Sequence, residues 1–452
     1  MPRAKRATVG QLPLLPTSVK AVVEVAEDHE LVRLTRSLDW VELERAAAAI
    51  REKKVKGPGG RVPHLRVMLG AMALMALRKK TYREAEDQLR YYVPARYLCD
   101  LMDTPWTPDF TTLQDFAELM GEEGMETLNE ALVKMAVAKG FEDPRVAVAD
   151  MTAQEAAIPY PNEVGLMGSF ARGIGKATAS LGRAGSTLGA AISKGLVQVK
   201  KLVRRHRLFA KTSEARREVT KELLSVSEKL LAKVTRGLPP SEGRLAGTKL
   251  KAFRRLRQLK EAMTELVPQI HYWLKSGYVA SGKIINLKLP EVRSIVRGKA
   301  GKKVEFGLKW GIARLKNGFV LGTSSRNLAS DSDQYFATAA VLHLKMLFGK
   351  APVSYAYDRG GWSRQNVEDL RTLGVRDVGL APKGKARWEV RGTTKETLVR
   401  VRAQVEGSIG TVKSPCYGFN KPNVRSTEMM AAIGQRALLG FNLRKYVRAA
   451  AA

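Results

Sequence analysis

Two acidic residues, each at the end of a short apolar run, constrain this fold more than any other feature of the sequence. Asp150 closes the run that starts at Val146, and Asp358 closes the run that starts at Val353. A carboxylate at the end of a buried strand is costly unless it is paired or holds a metal ion. Glu406, in a segment with helical spacing, supplies a third carboxylate. Two strands and a helix that converge in this way predict a site for two divalent cations, as two-metal phosphoryl transfer requires.

The charge of the chain indicates a polyanionic partner. Its 452 residues include 77 Lys and Arg against 44 Asp and Glu, which gives a net charge of +33. Such a field attracts nucleic acids, although ribosomal and chromatin proteins share it. The two cysteines cannot make a zinc site and suggest a reducing compartment. The longest strongly apolar run, residues 67–77, is about half of the roughly 20 residues that a membrane span needs. We therefore expect a cytoplasmic protein, bound to nucleic acid and not to a membrane.

Other chemistries find little support in the sequence. The five histidines are scattered without the spacing of metal ligands or of a catalytic triad. No Gly-x-x-x-x-Gly-Lys-Ser/Thr loop is present for a nucleotide. Gly173 and Gly175 form a Gly-x-Gly pair, but no strand pattern precedes it, so it does not predict a dinucleotide site.

Helical patterns occupy the first third of the chain. We expect residues 1–60 to form a basic arm and a first helix, and residues 61–142 to form a helical DNA-binding domain. Capping boxes predict helix starts at Thr81 and Thr112. A helix, a tight turn and a second helix with a basic edge are compatible with a DNA-reading unit. They are equally compatible with a plain helical bundle.

Residues 164–299 are predicted to be an insertion after the first core strand. The part from 165 to 195 is rich in Gly, Ala and Ser, and predicts either a mobile segment or loosely packed helices of small residues. Two apolar stripes joined by a turn at 237–240 then predict an antiparallel helical hairpin. Residues 200–260 contain 19 Lys and Arg against 5 Glu, a net +14 that favours phosphate binding over a merely soluble surface. The arginines expected to bind DNA here are Arg204, Arg205, Arg254 and Arg255.

The segment around Glu406 resembles the signature of DDE transposases from bacterial insertion sequences. That signature places an Arg four residues before the last catalytic Glu and a Lys seven residues after it, as Arg402 and Lys413 stand here. Val399 occupies the position where the signature usually has Tyr.

The contexts of the two aspartates resemble the same family. Asp150-Met-Thr is similar to the motif around the first catalytic Asp, and Asp358-Arg-Gly-Gly-Trp-Ser is similar to the motif around the second. Trp362 follows glycine where Tyr is usual. The resemblance covers roughly residues 60–445, with a long divergent stretch inside it.

The resemblance implies a fold, a chemistry and partners. The fold is α/β, with an RNase H-like mixed-sheet core formed by residues 143–163 and 300–448. Two Mg²⁺ ions, for which Mn²⁺ can substitute, would be held by Asp150, Asp358 and Glu406. The expected reaction is cleavage at the ends of the element, followed by strand transfer of the 3′-hydroxyl. The implied partners are the terminal inverted repeats, target DNA and a second copy of the chain in the synaptic complex. The implied location is the bacterial cytoplasm, at the nucleoid when DNA is bound.

The order of elements after the insertion fits this core. Lys316-Asn317-Gly318 predicts a hairpin between two strands, from 304 to 313 and from 319 to 322. The elements predicted after it are a helix over 333–348, a strand over 353–357, a helix over 364–373, a strand over 377–380 and a helix over 395–413. Without the insertion, this is the mixed-sheet order of the RNase H-like fold.

Several side chains near the three carboxylates are candidate DNA contacts, each with a structural alternative. Arg402 and Glu406 share a helix face, so Arg402 can form a salt bridge with Glu406 or contact the scissile strand. Lys413 lies on the same face and can bind a phosphate. Trp362 can stack on an exposed base or pack in the core. Arg359 and Lys309 are further candidates for binding phosphate. Glu155 and Asp143 are acidic residues that could take the place of Asp150 as a metal ligand.

Two other functions stay open at this point. One is a non-catalytic DNA-binding protein on a transposase-derived scaffold, although the three carboxylates and their basic neighbours are all present. The other is an RNase H-like nuclease that cuts DNA without joining it. The long basic insertion favours the holding of two DNA ends over simple cutting.

Overall fold

The computed structural model describes residues 25–55, 64–238, 241–243, 245–296, 304–382 and 390–451. Within them, helices precede, interrupt and follow one mixed β-sheet. The helices before the first strand are α1 (Glu30–Ser37), α2 (Trp40–Lys54), α3 (Leu65–Arg78), α4 (Tyr82–Tyr91), α5 (Val93–Leu98) and α6 (Phe110–Ala138). Across the described ranges, no helix has the length and apolar character that a membrane crossing would require.

One of the two predicted capping boxes is present. The Thr81 side chain accepts a hydrogen bond from the backbone N–H of Glu84, and the Glu84 carboxylate accepts one from the N–H of Thr81. The second prediction is wrong. α6 begins at Phe110, because the Asp109 side chain accepts from the N–H of Thr112 at 2.7 Å and so caps the helix one turn earlier.

The sheet is mixed, as predicted. Its strands are β1 (Val146–Glu155), β2 (Arg293–Val296), β3 (Val304–Leu315), β4 (Val320–Ser324), β5 (Ser354–Tyr357) and β6 (Asp377–Leu380). They lie in the order β2-β3-β1-β5-β6, with β4 also paired to β3. The β1–β3, β2–β3 and β3–β4 pairs are antiparallel, whereas β1–β5 and β5–β6 are parallel.

β1 is longer than the sequence pattern indicated. The expectation that the strand ends at Asp150 is wrong, since pairing with β3 continues as far as Glu155, opposite Gly307. Asp150 therefore lies within β1, one residue beyond the last position that pairs with β5.

The helices and strands after the β3–β4 hairpin follow the predicted order. α11 (Asp333–Phe348), α12 (Arg364–Leu373) and β6 have the predicted bounds. α13 (Gly392–Val412), predicted over 395–413, carries Glu406.

The insertion is a four-helix bundle, and its last two helices are the pair that the two apolar stripes predicted as a hairpin. Its helices are α7 (Glu163–Ser180), α8 (Ser186–Leu208), α9 (Ser213–Gly237) and α10 (Gly247–Ser276), and they enclose a buried apolar cluster of their own. The Gly- and Ala-rich segment is helical, as one alternative predicted, but its helices are closely and not loosely packed. Its glycines allow close packing: a Cβ on Gly195 would lie 2.7 Å from Leu230, and one on Gly173 would lie 2.7 Å from Leu259.

One further helix, α14 (Thr427–Ala449), was not predicted, and it links the N-terminal helices to the sheet. It packs against α3, α6 and β4. Contact with α3 is so close that a Cβ on Gly440 would lie 2.2 Å from the Ala76 carbonyl oxygen. One buried cluster runs from the N-terminal helices through one face of the sheet to α14. The domain boundaries proposed from the sequence stay a prediction.

Candidate functional site

Asp150 and Asp358 lie on the same face of the sheet. Val148 of β1 and Ala356 of β5 are register partners, and both belong to the buried cluster that includes the apolar side of α13. Asp150 is two residues after Val148 within β1, and Asp358 is two residues after Ala356, just past the end of β5, with an extended backbone (φ −68°, ψ 166°). Because side chains alternate along a strand and neighbouring strands lie about 4.8 Å apart, the two carboxylates are same-face neighbours.

α13 brings Glu406 over this face. Leu398, Val405 and Ile409 are the apolar side chains that bury the helix against the sheet. Glu406 follows Val405 and is exposed, so it lies at the border between the packed side of the helix and solvent.

Electrostatics link Asp150 to the other acidic residues. Burial raises the pKa of the Asp150 carboxyl to about 6, and the N–H of Met151, which donates to Asp150 Oδ1 at 2.8 Å, opposes this rise. The negative charges of Asp358, Asp333 and Glu406, in that order, raise the pKa further. The Asp150 carboxyl therefore lies within electrostatic range of both other predicted carboxylates.

Asp333 is a fourth acidic residue at this site that sequence reasoning missed. It is the first residue of α11, and the Tyr357 hydroxyl donates to its Oδ1 at 3.3 Å. The sequence indicated only a helix start here, and nothing local shows that this start abuts the end of β5.

The carboxylates are not arranged as a finished metal centre. In the described parts of the chain, no group of three or more His, Cys, Asp or Glu side chains has an arrangement that could hold a metal ion. The predicted Mg²⁺ site therefore stays a proposal.

Arg402 contacts a different carboxylate from the one expected. Its Nη1 lies 3.6 Å from Asp358 Oδ1, across the gap between α13 and β5. Among the described residues there is no ion pair between Arg402 and Glu406, so the intrahelical salt bridge is not the arrangement found. Arg402 instead places a positive charge on one of the two neighbouring aspartates.

Lys413 lies on the same face of the sheet as Asp150. Its Nζ donates to Thr152 Oγ1 at 3.4 Å. Thr152 is two residues beyond Asp150 on β1 and is almost fully buried. Because residues two apart in a strand face the same way, the Lys413 ammonium lies on the carboxylate face of the sheet.

The other candidates near the motif have varied surroundings. Trp362 packs, partly buried, against the large apolar core, an observation that favours its structural alternative. Arg359 is exposed next to Asp358. Lys309 does not face the carboxylates: it lies opposite Ala153, on the other face of the sheet, and pairs with Asp331 at 3.3 Å.

Neither spare carboxylate replaces Asp150. Asp143 precedes β1 and pairs with Arg145 at 2.8 Å and with Lys316 at 3.1 Å, and these partners hold the pKa of its carboxyl well below the usual range. Glu155 lies at the far end of β1, 3.6 Å from Lys421.

The four arginines predicted to bind phosphate in the insertion are not equivalent. Arg204 is exposed, whereas Arg205 pairs with Glu222 at 3.0 Å and Arg254 pairs with Glu242 at 2.9 Å. Arg255 is partly buried and donates to the Leu287 carbonyl oxygen at 3.2 Å, and burial lowers the pKa of its guanidinium. Its role is to tie the bundle to the segment after α10, so its assignment to phosphate binding loses support.

Comparison with known proteins relates the N-terminal part of the chain to transposases. Residues 20–119 match a family model described as "Transposase domain (DUF772)". No curated protein and no solved structure matches the chain. The matched range holds α1 to α5 and the start of α6, so it does not include the carboxylate site.

Proposed function

We propose that the protein is a DDE transposase, which cleaves DNA at the ends of an insertion sequence and joins the freed 3′-hydroxyl to target DNA. The observation that carries this proposal is the placement of Asp150 and Asp358 as same-face neighbours on two parallel strands, with the Glu406 helix packed over that face. The transposase-domain match of residues 20–119 supports the same function from a separate part of the chain.

The strand arrangement supports an RNase H-like core. Three antiparallel strands, β4, β3 and β1, are followed across the sheet by the parallel strands β5 and β6. Once the four-helix insertion is set aside, this is the mixed order expected for that fold.

The donor chemistry of the site fits Mg²⁺, with Mn²⁺ as a substitute. Asp150, Asp358 and Glu406 would hold two ions, since carboxylate oxygens are the ligands that such hard cations prefer. Bound divalent ions supply charge stabilisation at phosphate and activation of water. The acidic charges that raise the pKa of Asp150 are the charges that such ions would offset.

The basic residues of the site would position the DNA. Arg402, now 3.6 Å from Asp358, can keep that carboxylate oriented and turn to the scissile strand when DNA binds. Lys413, held on Thr152, would bind a phosphate oxygen beside the aspartates. Both act by positioning and charge, so cleavage needs no covalent protein nucleophile.

The test is Asp358→Asn, assayed on duplexes taken from inverted repeats that flank the coding sequence. Gel shift measures binding, and cleavage and strand transfer are measured with Mg²⁺ on the same preparation. We expect binding to be retained and cleavage to be lost, because the basic contacts remain while a metal ligand is removed.

The control for this test is Asp369→Asn on α12, whose carboxylate accepts from Gln365 at 2.8 Å and lies outside the site. It should behave as wild type. Cleavage by Asp358→Asn at the wild-type rate would refute the assignment. Cleavage without strand transfer by the wild-type protein would instead favour the simple nuclease.

A further inference from the structure

The turn between α8 and α9 exposes two large apolar side chains in a strongly basic setting. Phe209 is 69% exposed and Leu208 is 52% exposed. Neither belongs to the buried cluster of the bundle, whereas Ala210, the next residue, does. An adjacent pair of exposed apolar side chains of this size on a charged surface calls for a partner that covers it.

The turn is held rigidly in this exposed form. The N–H groups of Phe209 and Ala210 both donate to the Arg205 carbonyl oxygen, at 2.9 and 3.0 Å. The Ala210 carbonyl oxygen accepts from Arg216 Nε at 3.0 Å, and the Thr212 hydroxyl caps α9 by accepting from the N–H of Ala215. Little conformational entropy is therefore lost when Phe209 and Leu208 are covered by a partner.

The charge around the turn selects a polyanion as that partner. Residues 200–211 contain six Lys and Arg and no Asp or Glu. The exposed members of this group are Lys200, Lys201, Arg204, Arg205, Arg207 and Lys211. Glu222 is close, but it is already paired with Arg205. A neutral protein surface would leave this charge unexplained. Duplex DNA offers phosphates and an apolar base stack together, and the transposase-domain match favours it over an anionic membrane, which also combines the two.

The turn lies at the end of the bundle that joins the catalytic sheet. Arg217, near the start of α9, donates to the Leu274 carbonyl oxygen near the end of α10. Lys283, after α10, pairs with Glu163, the first residue of α7, which follows β1. The turn therefore lies at the same end of the bundle as the connections of α7 and α10 to the sheet.

We propose that the α8–α9 turn is a DNA wedge: Phe209 and Leu208 enter the minor groove and partly unstack one base step, while the surrounding Lys and Arg bind the flanking phosphates. Apolar wedges of Phe and Leu are the side chains that kink DNA in this way. This inference takes one thing from the proposed function, namely that the partner is duplex DNA.

The experiment measures unstacking directly, without divalent ions and without cleavage. A short duplex carries 2-aminopurine at a central TA step, which unstacks readily, and its fluorescence is followed as full-length protein is added. Wild type should increase the fluorescence. Phe209→Ala should abolish the increase and weaken binding by about three- to tenfold. Phe209→Leu should keep most of the increase.

Two further variants separate the wedge from charge alone. Phe209→Lys adds a cation, so it should bind at least as tightly as wild type at low salt but should not unstack the base. Met346→Ala removes an exposed apolar side chain from α11 and should change neither readout.

Several results would overturn the wedge. One is an unchanged fluorescence increase in Phe209→Ala or Phe209→Lys. Another is an altered oligomeric state of Phe209→Ala in sedimentation while unstacking persists, which would make the turn a protein contact. The wedge is tested by fluorescence and the transposase assignment by DNA cleavage. One proposal can therefore fail while the other holds.

Discussion

Arg402 on α13 lies 3.6 Å from Asp358 at the end of β5, and this pair crosses the proposed active site. Both side chains are substantially exposed to solvent, so the pair contributes at most about 1 kcal/mol. A divalent ion that binds Asp358 would compete with the guanidinium for the same carboxylate. Under the proposed function, Arg402 would thereby couple DNA positioning to cation binding.

Replacing Arg402 by Gln should therefore tighten cation binding in the absence of DNA. We expect the half-saturating Mg²⁺ concentration, measured by thermal shift, to fall by up to about fivefold, because the competing charge is removed. Cleavage should nevertheless slow, since the same guanidinium is proposed to hold DNA. Arg400→Gln, an exposed position on the same helix, is the control and should leave both values unchanged. Weaker cation binding in Arg402→Gln would contradict the competition.

Lys413→Ala should affect the reaction more than DNA affinity. Its ammonium lies at Thr152, on the carboxylate face of the sheet, where a charged hydrogen bond to phosphate would contribute roughly 1.5–3 kcal/mol. The cleavage rate on pre-bound DNA should fall by at least about tenfold, while the gel-shift affinity changes by less than about threefold. Lys350→Ala, an exposed lysine after α11, serves as the control. Equal losses in affinity and rate would show that Lys413 is only a general DNA contact.

The bundle arginines should separate into a DNA-binding member and a structural one. Arg204→Gln should flatten the plot of log affinity against log salt by about 0.9, the value for one phosphate contact. Arg255→Gln should leave that slope unchanged and lower the melting temperature instead, since the guanidinium is partly buried against the Leu287 carbonyl oxygen. If only Arg255→Gln changed the slope, Arg255 and not Arg204 would be the residue of the bundle that contacts DNA.

Glu126 on α6 should give the fold a pH dependence unrelated to the active site. Burial raises the pKa of its carboxyl to about 7, helped by Glu130 and Glu122 and opposed by a hydrogen bond from Thr323. Since the folded pKa exceeds the unfolded value, the folded state binds more protons between about pH 4.3 and 7, and the free energy of unfolding falls as pH rises through this window.

Glu126→Gln should remove that fall. Relative to wild type, the variant should be about 1–2 kcal/mol more stable at pH 8, allowing for solvent screening, and similar at pH 4. Denaturant unfolding at a series of pH values measures the difference. Glu118→Gln, an exposed carboxylate of the same helix, should track wild type throughout. A constant difference between Glu126→Gln and wild type at all pH values would rule out titration as the cause.

Local signals made the helices after the hairpin predictable. The Ser332 hydroxyl caps α11 and Gly349 ends it with φ 76°, a backbone conformation that suits glycine. Ser363 and Gly374, with φ 110°, bracket α12 in the same way. Both helices therefore have the bounds that the sequence indicated.

The predicted start of α6 and the predicted end of β1 were wrong because residues outside each local sequence pattern made the decisive contacts. Thr112 has the residue pattern of a cap, but Asp109 lies one turn earlier and takes its N–H. Asp150 looked like the end of a strand, yet the antiparallel partner of β1 continues to Glu155. In each case the deciding contact was made by a residue outside the local pattern.

Contacts from outside the local sequence pattern also decided how much of the candidate carboxylate site could be predicted. The Asp150 and Asp358 pair was accessible to sequence reasoning, because strand alternation and parallel pairing are regular. The partner of Arg402 was not, since a helix offers Glu406 at i+4 while the tertiary approach of β5 provides Asp358. Asp333 was missed for the same reason: its proximity depends on where α11 begins relative to the end of β5.

The contact of α14 with α3 has a consequence for synthesis of the protein. α3 is buried along nearly its whole length, and α14, which covers part of it, comes after the insertion and all strands of the sheet in the sequence. A chain made at about 5–20 residues per second must therefore keep apolar surface of α3 uncovered until α14 leaves the ribosome. A chain that stops before Thr427 lacks this cover altogether, so premature termination would yield an aggregation-prone product and not a smaller working protein.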